Sequence, residues 1–360
     1  MGIKGLSRFI RERTNAISQI HISQFSNKKI ALDVSNYYYK YKAIYKHQAI
    51  MAFYSMLRSF RKNIVHCIFV FDGKPPVEKS ETLRKREQQR ISIQDRAIII
   101  RNAIEAYDKY VTGDRTIDVN TFVPVLEIFN SDTKLAEIIN DPVELIDIDK
   151  AREKLSKLES ENIRITPSDI EDLKQLITKV GARYIQASGE TEPLCYSLFR
   201  ENKIDAVISE DSDLLAYGVK KLILGYSMDG SCSLVNLDVI LNDLELTQQQ
   251  FLDFCILSGT DYNSNIPKIG PVTAYKLIRE YETIEAIQQA IGKAPEKFER
   301  SRELFKTIPE AVDIEYWDVR CDSSLTLFAF ENGIREDVES VFSPTKVIFE
   351  EEQDDHVELP

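Results

Sequence analysis

Short apolar runs rich in β-branched residues recur along the chain, separated by stretches of helical periodicity. Lys29-Ile-Ala-Leu-Asp33, His66-Cys-Ile-Phe-Val-Phe-Asp72, Ala182-Arg-Tyr-Ile-Gln186 and Asp205-Ala-Val-Ile-Ser209 read as buried strands, and Lys221-Leu-Ile-Leu-Gly225 as a further one. Between them, Gln48 to Arg61, Pro167 to Val180 and Thr191 to Glu201 carry the spacing of amphipathic helices. Strands alternating with helices predict an α/β fold with a mostly parallel central sheet flanked by helices. A long excursion separates Asp72 from Glu190. It opens with a charged helical run, Glu78 to Arg101, and continues through an Asp-rich, weakly periodic stretch from Tyr107 to Pro142 that reads as an irregular insertion. A second charged helix, Asp147 to Glu161, follows, and Thr166-Pro167 is a helix start. The acidic end, Glu350-Glu-Glu-Gln-Asp-Asp, reads as a disordered tail.

Composition narrows the class. The 360 residues are 43% hydrophobic and 29% charged, as in a globular protein with a sizeable core. No apolar run approaches the roughly 18 residues of a membrane span, so no membrane association is expected. Lys4, Arg8, Arg11 and Arg13 break the first apolar stretch, which is unlike a signal peptide. Cys67, Cys195, Cys232, Cys255 and Cys321 are scattered without a close pair, against a zinc site or a disulfide framework and in keeping with a reducing interior. The net charge of −12 hides an asymmetry: residues 1–101 carry +13 and the remainder −25. A basic surface for a polyanion and ordinary solvated helix faces both account for it.

Acidic residues concentrate where a parallel sheet places ligands. Asp33, Asp72 and Asp211 follow the carboxyl ends of three expected strands. Gly189-Glu190-Thr-Glu192 opens a helix, Glu210-Asp211-Ser-Asp213 follows a strand, and Asp261 adds a seventh acid. One such residue is ordinarily a cap or turn former. Two carboxylates about 4 Å apart repel by roughly 4 kcal/mol at an effective dielectric of 20, so seven in one cleft demand cations. Magnesium takes such oxygen ligands, and the lack of accompanying His or Cys argues against zinc. Two metals on carboxylates suit in-line phosphodiester hydrolysis.

These residues sit in motifs that resemble the flap endonuclease (XPG-type) family of structure-specific 5′ nucleases. The matching segments are Met1-Gly-Ile-Lys-Gly-Leu6, Leu32-Asp33-Val-Ser35, Val70-Phe-Asp-Gly-Lys-Pro-Pro76, Gly189-Glu-Thr-Glu192, Ser209-Glu-Asp-Ser-Asp213 and Cys255-Ile-Leu-Ser-Gly-Thr-Asp-Tyr262. They span residues 1–101 and 147–285. The resemblance implies a PIN-like 5′ nuclease fold with a helical arch over the metal site and a helix-two-turn-helix DNA-binding element. It implies one catalytic domain: 1–101 the N-terminal nuclease region with the start of the arch, 102–166 an extended arch, 167–300 the internal nuclease region, and 301–360 a C-terminal helical segment with the acidic tail.

By the same resemblance Asp33, Asp72, Glu190 and Glu192 would hold one Mg2+ and Asp211, Asp213 and Asp261 a second, with manganese able to substitute. Lys79 and Arg86, seven apart and so on nearly one helix face, would reach the scissile phosphate, although two cations on a solvated face read alike. Tyr39 would stack on a base beside the cut, while core packing accounts equally for any one of Tyr37, Tyr38, Tyr39 and Tyr41. Gly2 would lie close to the substrate once Met1 is removed. Ile266-Pro-Lys-Ile-Gly-Pro-Val-Thr-Ala-Tyr-Lys-Leu-Ile278 resembles the helix-two-turn-helix, with Gly259, Lys268 and Gly270 at its turns, and implies a potassium ion; a generic helix pair would look similar.

The chain departs from the family at several points. Thr191 and Pro193 stand where the third motif usually has alanines, and Lys268 replaces a glycine. Ser55 stands where the family often has an arginine, so that one phosphate contact is either missing or supplied by Arg58. The arch is longer and net acidic. A sliding clamp is a candidate partner, but no clamp-binding peptide is recognisable and the basic tail is absent. The expected activity is 5′-flap endonuclease with 5′→3′ exonuclease action in DNA replication or repair, leaving a 5′-phosphate and a 3′-hydroxyl. The expected partner is flapped, nicked or branched DNA, the expected state a monomer, and the expected place the nucleus or another intracellular replication compartment. A 5′→3′ exonuclease, a junction resolvase, a non-catalytic junction-binding protein and a PIN-like ribonuclease are the alternatives.

Overall fold

Seven strands form a single sheet in a computed structural model that describes residues 2–129 and 143–314. The strands are β1 (Ile17–His21), β2 (Lys29–Asp33), β3 (His66–Phe71), β4 (Arg183–Gln186), β5 (Ala206–Ile208), β6 (Lys221–Leu224) and β7 (Ser231–Asn236), in the order β1-β7-β6-β5-β2-β3-β4. The five strands from β6 to β4 run parallel, whereas β7 pairs antiparallel with both β6 and β1. The parallel portion is the one expected from the apolar runs. The two antiparallel strands were not: Ile17-Ser-Gln-Ile-His21 and Ser231-Cys-Ser-Leu-Val-Asn236 mix polar with apolar residues because much of each strand remains accessible.

Helices cover both faces. One layer holds α1 (Leu6–Arg13), α8 (Thr191–Arg200), α9 (Asp213–Tyr217), α10 (Leu237–Leu244), α11 (Gln248–Ser258), α12 (Pro271–Tyr281), α13 (Ile284–Ile291) and α14 (Phe298–Lys306), whose apolar faces meet Ala31, Val70 and Val207 of the sheet. The other holds α2 (Val34–Tyr45), α3 (Ala49–Lys62) and α7 (Pro167–Lys179), packed on Ile30, Leu32, Phe69 and Ile208. Alternate residues of β2 thus serve opposite cores, as the two-residue period of a strand requires. α7 begins at the expected Thr166-Pro167, with Thr166 and Asp169 forming a capping box.

The excursion after β3 is a helical arch. Its first leg, α4 (Ser80–Val111), runs past the expected boundary at residue 101. Its second leg, α6 (Ile148–Glu161), is capped by Asp147. Arg101–Glu159 and Arg152–Asp108 ion pairs, each at 2.7 Å, tie the legs together. The stretch from Tyr107, read as irregular, is in its described part ordered and packed: a short helix α5 (Val123–Leu126) presents Phe122 and Leu126 to Ile100, Ile104 and Leu158 in a third core of its own. Phe122, wholly buried, packs against the rings of both Tyr107 and Tyr110. The acidic tail, Cys321 and residues 130–142 lie outside the described residues. Among those described, the four remaining cysteines are buried and form no disulfide, and no helix is long and apolar enough to cross a membrane.

Candidate active site

Four neighbouring parallel strands deliver acids to one edge. In the spatial order β5, β2, β3, β4, their carboxyl ends lead to Asp211, Asp33, Asp72 and Glu190. The connection leaving β2 runs to β3 and the one leaving β5 runs to β6, in opposite directions, so the edge between β2 and β5 is a topological switch point, where open α/β sheets bind ligands. Gly73 makes the crowding possible. A Cβ there would stand 2.1 Å from the Ala187 carbonyl oxygen, so only glycine lets the end of β3 approach the loop that carries Glu190.

Asp33, Asp72, Glu190, Glu192, Asp211 and Asp261 all line one cavity of about 640 Å³. Asp213, the seventh expected ligand, is buried and absent from that lining; its Oδ1 has no hydrogen-bond partner among the described residues. Gly2 lies against Asp211, Ser212 and Asp213, and a Cβ on it would fall 2.3 Å from Asp211 Oδ1. The expected closeness of Gly2 to the reacting region therefore takes the form of direct contact with the acids.

Neighbouring groups fix the carboxylates. Asp33 caps α2, accepting from the Asn36 amide at 3.1 Å and from the Ser209 hydroxyl at 2.9 Å. Asp72 accepts from both the amide and the hydroxyl of Thr191, at 3.0 and 2.7 Å. Glu190 accepts from the Tyr262 hydroxyl at 2.5 Å. Thr191, Ser209 and Tyr262 are support residues that the sequence reading did not identify as such; their proximity in sequence to the acidic motifs was the available signal.

The arch supplies positive charge. Lys79 pairs with Glu190 and, at 3.3 Å, with Asp261, while Arg86 Nη2 reaches both Asp261 oxygens at 2.7 and 2.8 Å. Arg90, Leu83 and Ile93 continue this wall, and Glu161 at the end of the second leg, with Ile163 and Ile165 just beyond it, closes it. Tyr39 is part of the cavity wall and partly exposed, whereas Tyr37, Tyr38 and Tyr41 are buried in the core, which separates the four tyrosines. Arg58 is exposed on α3 and is not part of the cavity wall.

The electrostatics describe a site built for cations. Burial, then the charge of Asp72, pushes the Asp33 carboxyl up to about 8. Burial raises Glu192, Asp211 and Asp213 as well, with neighbouring carboxylates adding to the shift for Glu192 and Asp213. Burial works against the Lys79 ammonium, yet Glu190 and Glu192 outweigh it and raise its pKa. Among the described residues, no three acidic, histidine or cysteine side chains are gathered closely enough to enclose one ion as they stand. The donor set still fits hard divalent metals: it is all oxygen and mutually repulsive, with Asp33, Glu190, Asp211 and Asp213 buried, and it includes an Asp213 oxygen that has no partner among the described residues.

α11 and α12, joined by residues 259–270, form the expected helix pair. Gly259 is the C-cap of α11 and Gly270 the N-cap of α12, with Lys268 exposed between them in the left-handed region at φ 70°. None of the three lines the cavity.

Fold and acidic edge together define a carboxylate-site nuclease architecture, and similarity to known proteins agrees. The XPG N-terminal domain matches residues 1–93 and the XPG I-region residues 181–261. The probable RAD2-like endonuclease 369L of Invertebrate iridescent virus 6 is 33% identical over 80% of this chain and 73% of its own. Flap endonuclease 1 of Zea mays is 30% identical over 94% and 84%. The fold is also that of the catalytic core of Rad2 solved with a DNA substrate (TM-score 0.61, 18% identity, 95% of this chain and 100% of that one). Flap endonuclease-1 from Methanococcus jannaschii is similar to the same degree (TM-score 0.59, 19% identity, 92% and 97%). The chain belongs to the XPG family of nucleases, alongside RAD2-like and flap endonucleases.

Proposed function

We propose that the chain is a magnesium-dependent, structure-specific 5′ nuclease that hydrolyses DNA at 5′ flaps and ends. The observation that carries this reading is one cavity in which six carboxylates, five following the ends of four strands and one following α11, face Lys79 and Arg86 of an arch. Asp33, Asp72, Glu190 and Glu192 form one ligand group, and Asp211, Asp213 and Asp261 the other. Two divalent cations bound there would supply Lewis acidity to the attacking and leaving oxygens of an in-line displacement.

The chain's own residues do the rest. Lys79 and Arg86 exchange their carboxylate partners for phosphate oxygens and stabilise the charge that grows on phosphorus substituents. Tyr39, at the cavity wall, stacks on a base next to the cut. Gly2 leaves room for the strand beside Asp211. Gly270 and Pro271 open α12, whose first-turn amides meet a phosphate of the flanking duplex, and Lys268 adds its charge there. Potassium at this turn and a phosphate contact from Arg58 belong to the same proposal, as do DNA as partner, a monomeric state and an intracellular DNA compartment.

The test is a panel of labelled 5′-flap, nicked, gapped, four-way and matched RNA substrates, with magnesium and with a chelator. Flap cutting that needs the metal and is lost in Asp211→Ala, with DNA binding retained, is expected. Full cutting by that variant would overturn the ligand assignment; preference for ends or four-way junctions would move the chain to the exonuclease or resolvase reading.

A further inference from the structure

We propose that Tyr262 is a positioning residue for the metal site, holding the Glu190 carboxylate from behind and thereby setting the affinity for divalent cation. The proposal rests on the nuclease reading and deepens it. Glu190 occupies the N-cap of α8, yet its side chain makes no cap hydrogen bond. The carboxylate turns away from its own helix instead: one oxygen pairs with Lys79 of the arch and the other accepts from Tyr262. When Lys79 leaves for phosphate, the phenol is the contact among these that still fixes the carboxylate plane.

Tyr262 is itself well placed to hold. Its amide donates to the Thr260 hydroxyl at 3.2 Å, and that hydroxyl bonds Asn263 at 2.7 Å, so one tight turn carries both Asp261 and the support for Glu190. Its ring meets Phe305 edge-on with centroids 5.4 Å apart. Its oxygen lies 3.2 Å from the Tyr217 hydroxyl. An ionised carboxylate only accepts, so the single Tyr262 proton goes to Glu190 and Tyr217 must donate to Tyr262. The result is a directed chain, Tyr217 to Tyr262 to Glu190, in which each bond polarises the next. It links α9, the turn bearing Asp261 and the N-terminus of α8, three segments that supply metal carboxylates. Partners that orient a ligand in this way change metal affinity by about 10–100-fold when removed.

The experiment measures Mn2+ binding to the DNA-free protein by electron paramagnetic resonance, together with the melting temperature without metal. Wild type is compared with Tyr262→Phe, Tyr217→Phe, Glu190→Ala and the Tyr262→Phe/Glu190→Ala pair. The phenylalanine keeps the ring contacts and removes only the hydroxyl, and the alanine removes the acceptor. Tyr262→Phe is expected to weaken binding at least 10-fold, Tyr217→Phe less, and the pair no more than Glu190→Ala alone. Wild-type affinity in Tyr262→Phe, or a further loss when it is added to Glu190→Ala, overturns the proposal and leaves the nuclease reading standing. Wild type that binds no Mn2+ overturns that reading and this one with it. The Glu190→Ala background separates a folding defect from action through the carboxylate, since only the former persists there.

Discussion

Thr191 occupies a position where the family commonly carries alanine, and its hydroxyl donates to Asp72 at 2.7 Å beside the bond from its own amide. The side chain therefore adds a second hydrogen bond to a carboxylate expected to hold metal. Removing it leaves the amide bond in place and opens no large cavity. A lost hydrogen bond to a partly buried group costs about 0.5–1.5 kcal/mol. Thr191→Ala should accordingly fold normally and need several-fold more magnesium to reach half-maximal cleavage, with the saturated rate little changed. A magnesium titration of flap cleavage checks this; an unchanged midpoint would mean that the amide alone holds Asp72. Such residues show where sequence reading stops. Asp33, Asp72, Glu190 and Asp211 were legible because acids at strand ends are conspicuous against apolar runs. Thr191, Ser209 and Tyr262 were not, because each acts on a carboxylate 72 or more positions away in the chain, and no local pattern encodes that pairing. Ser209 and Thr191 look like ordinary loop and helix-start residues until the sheet brings their targets beside them.

Most of the legible strands are the buried ones, although β4, expected to be buried, is an edge strand with Arg183, Tyr184 and Gln186 exposed. β2, β3 and β5 lie inside the sheet and announce themselves as apolar runs. β1 and β7 were missed because half-exposed strands are chemically mixed, although Asp229-Gly230 between β6 and β7 is a hairpin signal that could have revealed the turn. The arch is the more instructive case. Its Asp-rich stretch looked irregular because a small core of aromatic and aliphatic residues, spread from Ala97 to Leu158, needs no continuous periodicity. That core is separate from the two that sandwich the sheet. Phe122→Ala should cost about 3–5 kcal/mol there and very little elsewhere. Amide exchange should accelerate in the second half of α4 and in α6, while the sheet keeps its protection. Flap cleavage should fall through loosened placement of Lys79 and Arg86 rather than loss of metal binding. Equal acceleration across β2 and β3 would show instead that arch and sheet unfold as one unit.

For the whole molecule, the division of charge becomes a division of labour. The basic first third supplies Lys79 and Arg86 on the arch, and the acidic remainder supplies five of the seven acids, so folding brings the two signs into one cavity. Burial and mutual repulsion weigh on those carboxylates, as the upward shifts of Asp33, Glu192 and Asp213 register, while the two arch cations pair with Glu190 and Asp261. A divalent cation that binds the folded site and not the unfolded chain must then stabilise the protein by mass action. At 100 times the dissociation constant the gain is about 2.7 kcal/mol per site, enough to raise the melting temperature by several degrees in a domain of this size. Magnesium, compared with a chelator at matched ionic strength, should produce that rise in wild type. Asp211→Ala should show a smaller one, because it both removes a ligand and relieves the repulsion that the metal offsets; its metal-free form should therefore melt no lower than the metal-free wild type. Superimposable melting curves with and without magnesium would mean that the acids already balance their charge internally, and that the cavity was not shaped around an ion.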